Sequence, residues 1–193
     1  MIILARHGQT LWNKEKRLQG WLNSPLSDLG IAQAKNVASK IIQLVNPNEV
    51  EIVSSPLGRA FETAKIIAAA LTIHENNINT TSLLKEFSFG IWEGMTMSEV
   101  KETHFVQWNN RAADKWNYQI PQGESYRLIA KRAEQWLENT SDTETKIAVS
   151  HQVIGRVIRG IYLGLDEHAT MSLIQENNHI ITLKHGQENL IVA

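Results

Sequence analysis

Short apolar runs alternate along this chain with longer segments in which apolar residues recur every three or four positions. The runs at 1–5, 51–54 and 146–150 have the length and composition of buried strands. The segment after Ser27, a favourable N-cap residue, predicts a helix with one apolar face. The apolar positions of that face are Ala34, Val37, Ala38, Ile41 and Val45. This alternation predicts an α/β fold.

The remaining elements follow the same logic. Further helices are predicted at 60–71, from about 153 to 163, and from 124 to about 139, with 60–71 starting from Ser55 or Pro56. A Thr-x-x-Glu capping box at Thr96 opens another helix, which must break or bend in the stretch that carries Trp108 and Trp116. Strands are expected near 79–84 and at 179–183 and 190–192. We therefore predict a three-layer αβα sandwich with a mostly parallel sheet, built as a single domain over residues 1–193.

Basic residues follow three of the predicted strands. Arg6 and His7 end the first, Arg59 lies beyond the second, and His151 directly follows the third. The carboxyl ends of parallel strands share one edge of a sheet, which is where ligands bind in open α/β folds. Guanidinium groups match phosphate oxygens, and helix N-termini add partial positive charge. The pattern predicts a pocket for a dianion, most simply a phosphoryl group.

Composition narrows the class of protein. The formal net charge of −1 gives no electrostatic reason to expect nucleic acid or an anionic membrane as a partner. The chain has no cysteine, which excludes disulfides, thiolate metal sites and cysteine nucleophiles. It has neither a signal-peptide pattern nor an apolar run of the ~20 residues that span a bilayer. We expect a cytoplasmic enzyme with a small phosphorylated substrate, and the sequence does not predict its oligomeric state.

Several short motifs follow one another in a fixed order. They are Leu4–Asn13, Gln19–Gly20, Ser24–Gly30 with Gln33–Ala34, Ser55–Ala64, Glu86, Gly90–Gly94, Gly123–Ser125 and Val149–His151. In this order and spacing they resemble the histidine phosphatase superfamily, also called the phosphoglycerate mutase-like family, from about residue 3 to 185. The resemblance implies a phosphoglycerate mutase-like fold and chemistry through a phosphohistidine.

The residues and the resemblance agree on the catalytic groups. His7 is the expected nucleophile, with its other ring nitrogen donating to a backbone carbonyl that fixes its tautomer. Arg6, Arg59 and His151 would stabilise charge on the phosphoryl oxygens, and Asn13 would add a neutral donor. The further residues expected to contact substrate are Gln19, Gly20 and Gln152.

Glu86 is the expected general acid and base. Aromatic neighbours would keep its carboxyl protonated, so that it gives a proton to the leaving oxygen and later takes one from water. The acid phosphatase branch instead carries an aspartate after its second pocket histidine, where this chain has Gln152. Many members have glycine there, and the glutamine resembles the fructose-2,6-bisphosphatase branch.

Other polar and aromatic residues are expected to be structural. Glu93 is predicted to be structural rather than catalytic. Arg156 is expected to pair with a buried carboxylate, and Arg159 to be solvated. Three tryptophans could wall the substrate side of the pocket or pack in the core; these are Trp21, Trp108 and Trp116.

Three functions remain open from the sequence. The first is a metal-independent phosphatase for small phosphomonoesters, without a cofactor, because Arg6 and Arg59 would repel a divalent cation. The alternative is a 2,3-bisphosphoglycerate-dependent phosphoglycerate mutase. The resemblance implies that mutases are longer, with an insertion in the middle and a C-terminal tail, so the compact interval from Glu86 to His151 favours hydrolysis. The third is a non-catalytic phosphate-binding domain.

Overall fold

Six strands form one sheet in the computed structural model, which describes residues 1–140 and 144–193. The strands are β1 (Ile2–Arg6), β2 (Val50–Ser54), β3 (Ile78–Thr80), β4 (Thr145–Ser150), β5 (His179–Lys184) and β6 (Gln187–Val192). Their order is β3-β2-β4-β1-β5-β6. The first four are parallel, whereas β5 pairs antiparallel with both β1 and β6. The predicted mostly parallel sheet is confirmed.

Helices cover both faces of this sheet. In the described ranges they are α1 (Leu11–Lys14), α2 (Asp28–Ile41), α3 (Gly58–Ala70), α4 (Met97–Thr103), α5 (Phe105–Ala113), α6 (Tyr126–Glu138), α7 (Gln152–Tyr162) and α8 (Glu167–Ser172). Successive β1 residues point to opposite faces. Ile3 and Ala5 pack with apolar residues of α2 and α3, while Ile2 and Leu4 pack with those of α6 and α7. The three-layer αβα sandwich is therefore confirmed.

The region between Trp92 and Gln122 contains two short helices. The capping box that opens α4 is present: Thr96 N–H donates to Glu99 at 2.7 Å, and Glu99 N–H donates to the Thr96 hydroxyl at 3.2 Å. Helix α4 ends at Thr103, because His104 has a ψ of 39°, outside the helical region, and α5 starts at Phe105. The helix breaks as expected, but at His104, ahead of the stretch that carries Trp108 and Trp116 in which the break was predicted.

Several predicted element boundaries are wrong. Helix α2 ends at Ile41, so Val45 of the predicted apolar face lies outside it, and β6 begins at Gln187 rather than at residue 190. Helix α3 starts at Gly58 rather than at Ser55 or Pro56, because the Ser55 hydroxyl accepts from Leu57 N–H at 3.3 Å in a turn before the helix. Strand β3 ends at Thr80 because the Thr81 hydroxyl accepts from the backbone two residues on and starts a short 3₁₀ turn.

None of the helices in ranges 1–140 and 144–193 has the length and apolar character to cross a membrane.

Candidate active site

The basic residues that follow the strands meet at one edge of the sheet. Arg6 ends β1 and His7 follows it, Arg59 lies in the first turn of α3, and His151 is the N-cap of α7. The ring centroids of the two histidines are 5.1 Å apart, and Arg59 Nε lies 3.3 Å from His7 Nε2. The parallel pairing of β1 with β4 places both histidines at the same level.

His7 has a defined tautomer. Its Nδ1 lies 2.7 Å from the carbonyl oxygen of Gly8, which can only accept, so Nδ1 carries the proton and Nε2 presents its lone pair. Burial lowers the pKa of His7 well below its usual value, and the charges of Arg59 and Arg6 lower it further. The imidazole is therefore neutral near neutral pH, as a nucleophile requires.

His151 lies beside His7 and is completely buried. Its Nε2 is 2.8 Å from the hydroxyl of Ser55, while its Nδ1 has no hydrogen-bond partner in the described part of the chain. Burial, and then the charge of Arg59, lower the pKa of His151 well below its ordinary value. A buried ring nitrogen without a partner beside His7 is ready to bond an incoming ligand.

Arg59 is held by the loop that follows α1. Its Nη1 donates to Leu22 O and its Nη2 to Gly20 O, both at 2.8 Å. Burial lowers the pKa of this guanidinium to about 10, against the opposing charge of Glu86, so it stays protonated at neutral pH. These two carbonyls aim Nε at His7.

Arg6 supplies a second fixed positive charge. Its Nη1 donates to Gln175 O at 2.9 Å, and its buried Nε has no partner among the described residues. Burial lowers its pKa, and Glu86 and Glu176 oppose this effect. Arg6 therefore has a donor left for a ligand.

Glu86 faces these groups from the other side. Its Oε1 accepts from Phe87 N–H at 2.9 Å and, at the start of α7, from Val153 N–H at 3.1 Å and Ile154 N–H at 3.3 Å. The side chain is mostly buried. These backbone donors fix the orientation of the carboxyl group at the cavity wall, where it can exchange a proton with a bound molecule.

Arg6, His7, Arg59 and Glu86 line a cavity of about 150 Å³. It is lined by Arg6, His7, Asn13, Arg17, Leu18, Gln19, Gly20, Arg59, Glu86, Phe89, Gln152 and Val153. The four residues predicted to contact substrate are all in this lining. Asn13 Oδ1 accepts from the Thr10 backbone and hydroxyl, both at 3.1 Å, so its amide NH₂ is the group left to donate.

Gly20 and Glu93 shape the rim of this cavity. Gly20 has a φ of +52°, and a Cβ there would collide with the Glu93 carboxylate. That carboxylate accepts from the backbone of Trp21 and of Phe89, both at 3.0 Å, and from Leu22 at 3.2 Å. It therefore ties the Gly20–Leu22 loop to the segment after Glu86, a structural role, as predicted.

Some contacts of the site were not predicted from sequence. Arg17 and Phe89 line the cavity, and Ser55 contacts His151. Thr63 accepts from Gly8 N–H at 3.1 Å and so supports the backbone beside His7. The Ser55 and Thr63 positions lie inside a motif that the resemblance includes, but the Gln175 segment behind Arg6 carries no recognisable signal.

A metal site in this chain would need a cluster of ligating side chains. In residues 1–140 and 144–193, no three or more His, Asp or Glu side chains are placed to hold a metal ion.

Known proteins share both the sequence and the fold. Residues 2–192 match the model of the histidine phosphatase superfamily (branch 1). The protein named "Probable phosphoglycerate mutase GpmB" from Yersinia pestis (strain Pestoides F) is 32% identical over 180 residues, which cover 91% of this chain and 80% of that protein.

Solved structures extend the likeness. Alpha-ribazole phosphatase from Shigella flexneri shares the fold with a TM-score of 0.83 at 22% identity, covering 99% of this chain and 94% of its own. Phosphoserine phosphatase from Entamoeba histolytica, solved with 3-phosphoglyceric acid, has a TM-score of 0.79 at 27% identity, covering 98% and 93%. Sequence match and fold both extend over nearly the whole chain, which therefore belongs to the histidine phosphatase superfamily.

Proposed function

We propose that this protein is a metal-independent phosphatase that hydrolyses small phosphomonoesters through a phosphohistidine at His7. One observation carries the proposal. The neutral Nε2 of His7 faces a cavity that Arg6 also lines, and buried nitrogen atoms of Arg6 and of the neighbouring His151 have no partner within the described ranges. A phosphoryl group would bond these nitrogen atoms while its phosphorus lies against Nε2.

In the first step, Nε2 of His7 attacks phosphorus and the bond to the ester oxygen breaks. Glu86 gives its proton to that oxygen, so the product leaves as an alcohol. The transition state spreads charge over the equatorial oxygens, where Arg6 and Arg59 supply fixed positive charge. The proton on Nδ1 stays on the ring, and its hydrogen bond to Gly8 O stabilises the cationic phosphohistidine.

In the second step, water attacks phosphorus and the phosphorus–nitrogen bond breaks. Glu86, now a carboxylate, takes a proton from this water, which restores its acid form. Inorganic phosphate leaves and His7 is again neutral. Each group ends in its starting state, and no metal ion or redox partner is needed.

A phosphoglycerate mutase is the second candidate, favoured by the name of the 32% identical relative. A mutase must exclude water while its intermediate turns over in the site. The described residues between Glu86 and His151 form the two short helices α4 and α5 and the longer helix α6. This compact interval supports hydrolysis rather than retention of a bisphosphorylated intermediate.

Phosphate release from a panel of phosphorylated metabolites tests the proposal. The purified protein should release phosphate equally well with and without EDTA. His7→Ala should abolish release, whereas His168→Ala, at an exposed position, should leave it unchanged. Efficient interconversion of 3- and 2-phosphoglycerate stimulated by 2,3-bisphosphoglycerate, with little free phosphate, would establish the mutase instead.

Several expectations stay predictions. They are the single domain over 1–193, the cytoplasmic location, and the absence of nucleic-acid and membrane partners. The physiological ester is also open, and the panel is its direct test.

A further inference from the structure

Arg132 lies outside the cavity lining but forms hydrogen bonds to the segment that carries Glu86. From helix α6, its Nη1 donates to Leu83 O at 2.8 Å and to Lys85 O at 3.0 Å, and its Nη2 donates to Glu86 O at 3.3 Å. The segment between Leu84 and Gly90 has no helix or strand of its own. Hydrogen bonds from this guanidinium group, and from Trp21 Nε1–H to Glu86 O at 2.8 Å, therefore hold a loop that no helix or strand fixes.

Glu124 contacts both Arg132 and the segment that follows Glu86. Its carboxylate pairs with Arg132 through Oε1 to Nε at 3.0 Å and Oε2 to Nη2 at 3.1 Å. The same Oε2 accepts from Ser88 N–H at 2.9 Å. The pair thus holds the chain immediately before and immediately after Glu86, and both side chains are largely buried, at 18% and 12% exposure.

We propose that the Arg132–Glu124 pair is the positioning device for Glu86 and thereby sets proton transfer to the leaving group. This inference rests on the proposed phosphatase function. Neither residue lines the cavity, so the pair acts through the backbone of residues 83–88 and not on substrate. A shift of about 1 Å in a proton donor is enough to weaken catalysis strongly.

Leaving-group dependence separates positioning from stability alone. The p-nitrophenolate leaving group needs little protonation, whereas an alkoxide needs a proton in the transition state. A misplaced Glu86 therefore slows the phosphorylation step of alkyl phosphates far more than that of p-nitrophenyl phosphate. A protein that is merely less stable loses both activities equally.

Arg132→Met, Arg132→Lys and Glu124→Gln test the inference below the melting temperature of each variant. Arg132→Met should lower kcat/KM for an alkyl phosphate about 10- to 100-fold, a part of what acid–base catalysis supplies. The ratio kcat/KM is the quantity compared because it reports the phosphorylation step and not the later attack of water, which is common to both substrates. The loss with p-nitrophenyl phosphate should be no more than a few-fold. Arg132→Lys, which keeps the charge, should recover part of the loss, and Glu124→Gln should show the same selectivity.

Lys146→Met is the matched control. Lys146 forms an ion pair with Glu51 at the opposite edge of the sheet, with a side chain only 12% exposed. Its loss should lower the melting temperature and leave the ratio of the two activities unchanged. Equal losses of both activities in Arg132→Met, or unchanged kinetics, would overturn the inference alone. Absence of phosphatase activity in the unmodified protein would overturn the proposed function and this inference together.

Discussion

Arg59 donates its Nε–H to Nε2 of His7 at 3.3 Å, and that nitrogen is the one the proposed mechanism uses as nucleophile. The lone pair of His7 is thus engaged by Arg59. A phosphoryl oxygen is a stronger acceptor than imidazole for a guanidinium N–H. Binding of the substrate should therefore draw the Arg59 donor away and free His7 at the moment it is needed.

Arg59→Lys should lower kcat/KM about 10²- to 10³-fold, the usual effect of removing one fixed donor to transition-state charge. A lysine ammonium cannot hold Leu22 O and Gly20 O while also reaching the phosphoryl group. Steady-state kinetics with p-nitrophenyl phosphate measure the effect, and circular dichroism checks the fold. Arg127→Lys, at an exposed position of α6, is the control and should be silent. Retention of activity within a few-fold would contradict the assigned role.

Glu86→Gln should remove proton transfer while keeping the shape of the side chain. We expect a larger loss with an alkyl phosphate than with p-nitrophenyl phosphate, for the reason given for Arg132. Because Arg132 acts through Glu86, adding Arg132→Met to Glu86→Gln should lower kcat/KM little further. A double-mutant cycle with the alkyl substrate gives this coupling directly. Fully multiplicative losses would show that the two residues act independently.

Acidification should destabilise the protein through its buried histidines. In the unfolded chain His7 and His151 titrate near their usual pKa, whereas in the native protein burial and the arginine charges keep both neutral. As the pH falls, the unfolded state therefore binds protons at a higher pH than the native state does. The free energy of unfolding decreases as the pH drops below about 6.5. Full titration of two such groups gives a slope of about 2.7 kcal/mol per pH unit.

Urea unfolding between pH 7.5 and pH 5 measures this slope. His151→Asn should roughly halve it, because one of the two groups no longer titrates. His74→Asn, at an exposed position, should leave it unchanged. An unaltered slope in His151→Asn would mean that this imidazole does not bind its proton differently in the two states.

Gly20→Ala should destabilise the protein by about 1–3 kcal/mol and lower activity, since it adds backbone strain and pushes Glu93 away. Gly186→Ala is the matched control, because that glycine also has a positive φ, of +70°, but has nothing within 4 Å of a Cβ. The control should show strain alone and unchanged kinetics. Equal effects of the two substitutions on activity would argue that Gly20 does not shape the site.

The sequence predicted the core of this site because its chemistry follows strand ends. Arg6, His7 and His151 each sit where an apolar run stops, and parallel strands bring such positions to one edge whatever the loops do. The apolar stripe after Ser27 likewise determined α2, since burying that stripe is the main source of stability for a surface helix.

Partners that come from distant loops could not be predicted. Arg156 and Arg159 lie three apart on α7, and we expected the first to be paired and the second solvated. The structure reverses this: Arg159 makes two 2.6 Å bonds to Glu188 of β6, while Arg156 bonds Tyr126 and the Met171 carbonyl. Helical spacing predicts on which face of the helix a residue lies. Which carboxylate reaches that face depends on where the antiparallel strands β5 and β6 pack, and helical spacing does not predict this.

The position of β1 in the sheet has a consequence for biosynthesis. This strand is made first, yet it pairs with β4 and β5, which are encoded in the last third of the chain. Strands β2 and β3, by contrast, can pair as soon as both have emerged from the ribosome. Since domains fold as they are made, the apolar segment that precedes His7 must wait, unpaired, until β4 and β5 have been made. During that interval its unpaired backbone groups are open to aggregation in the nascent chain.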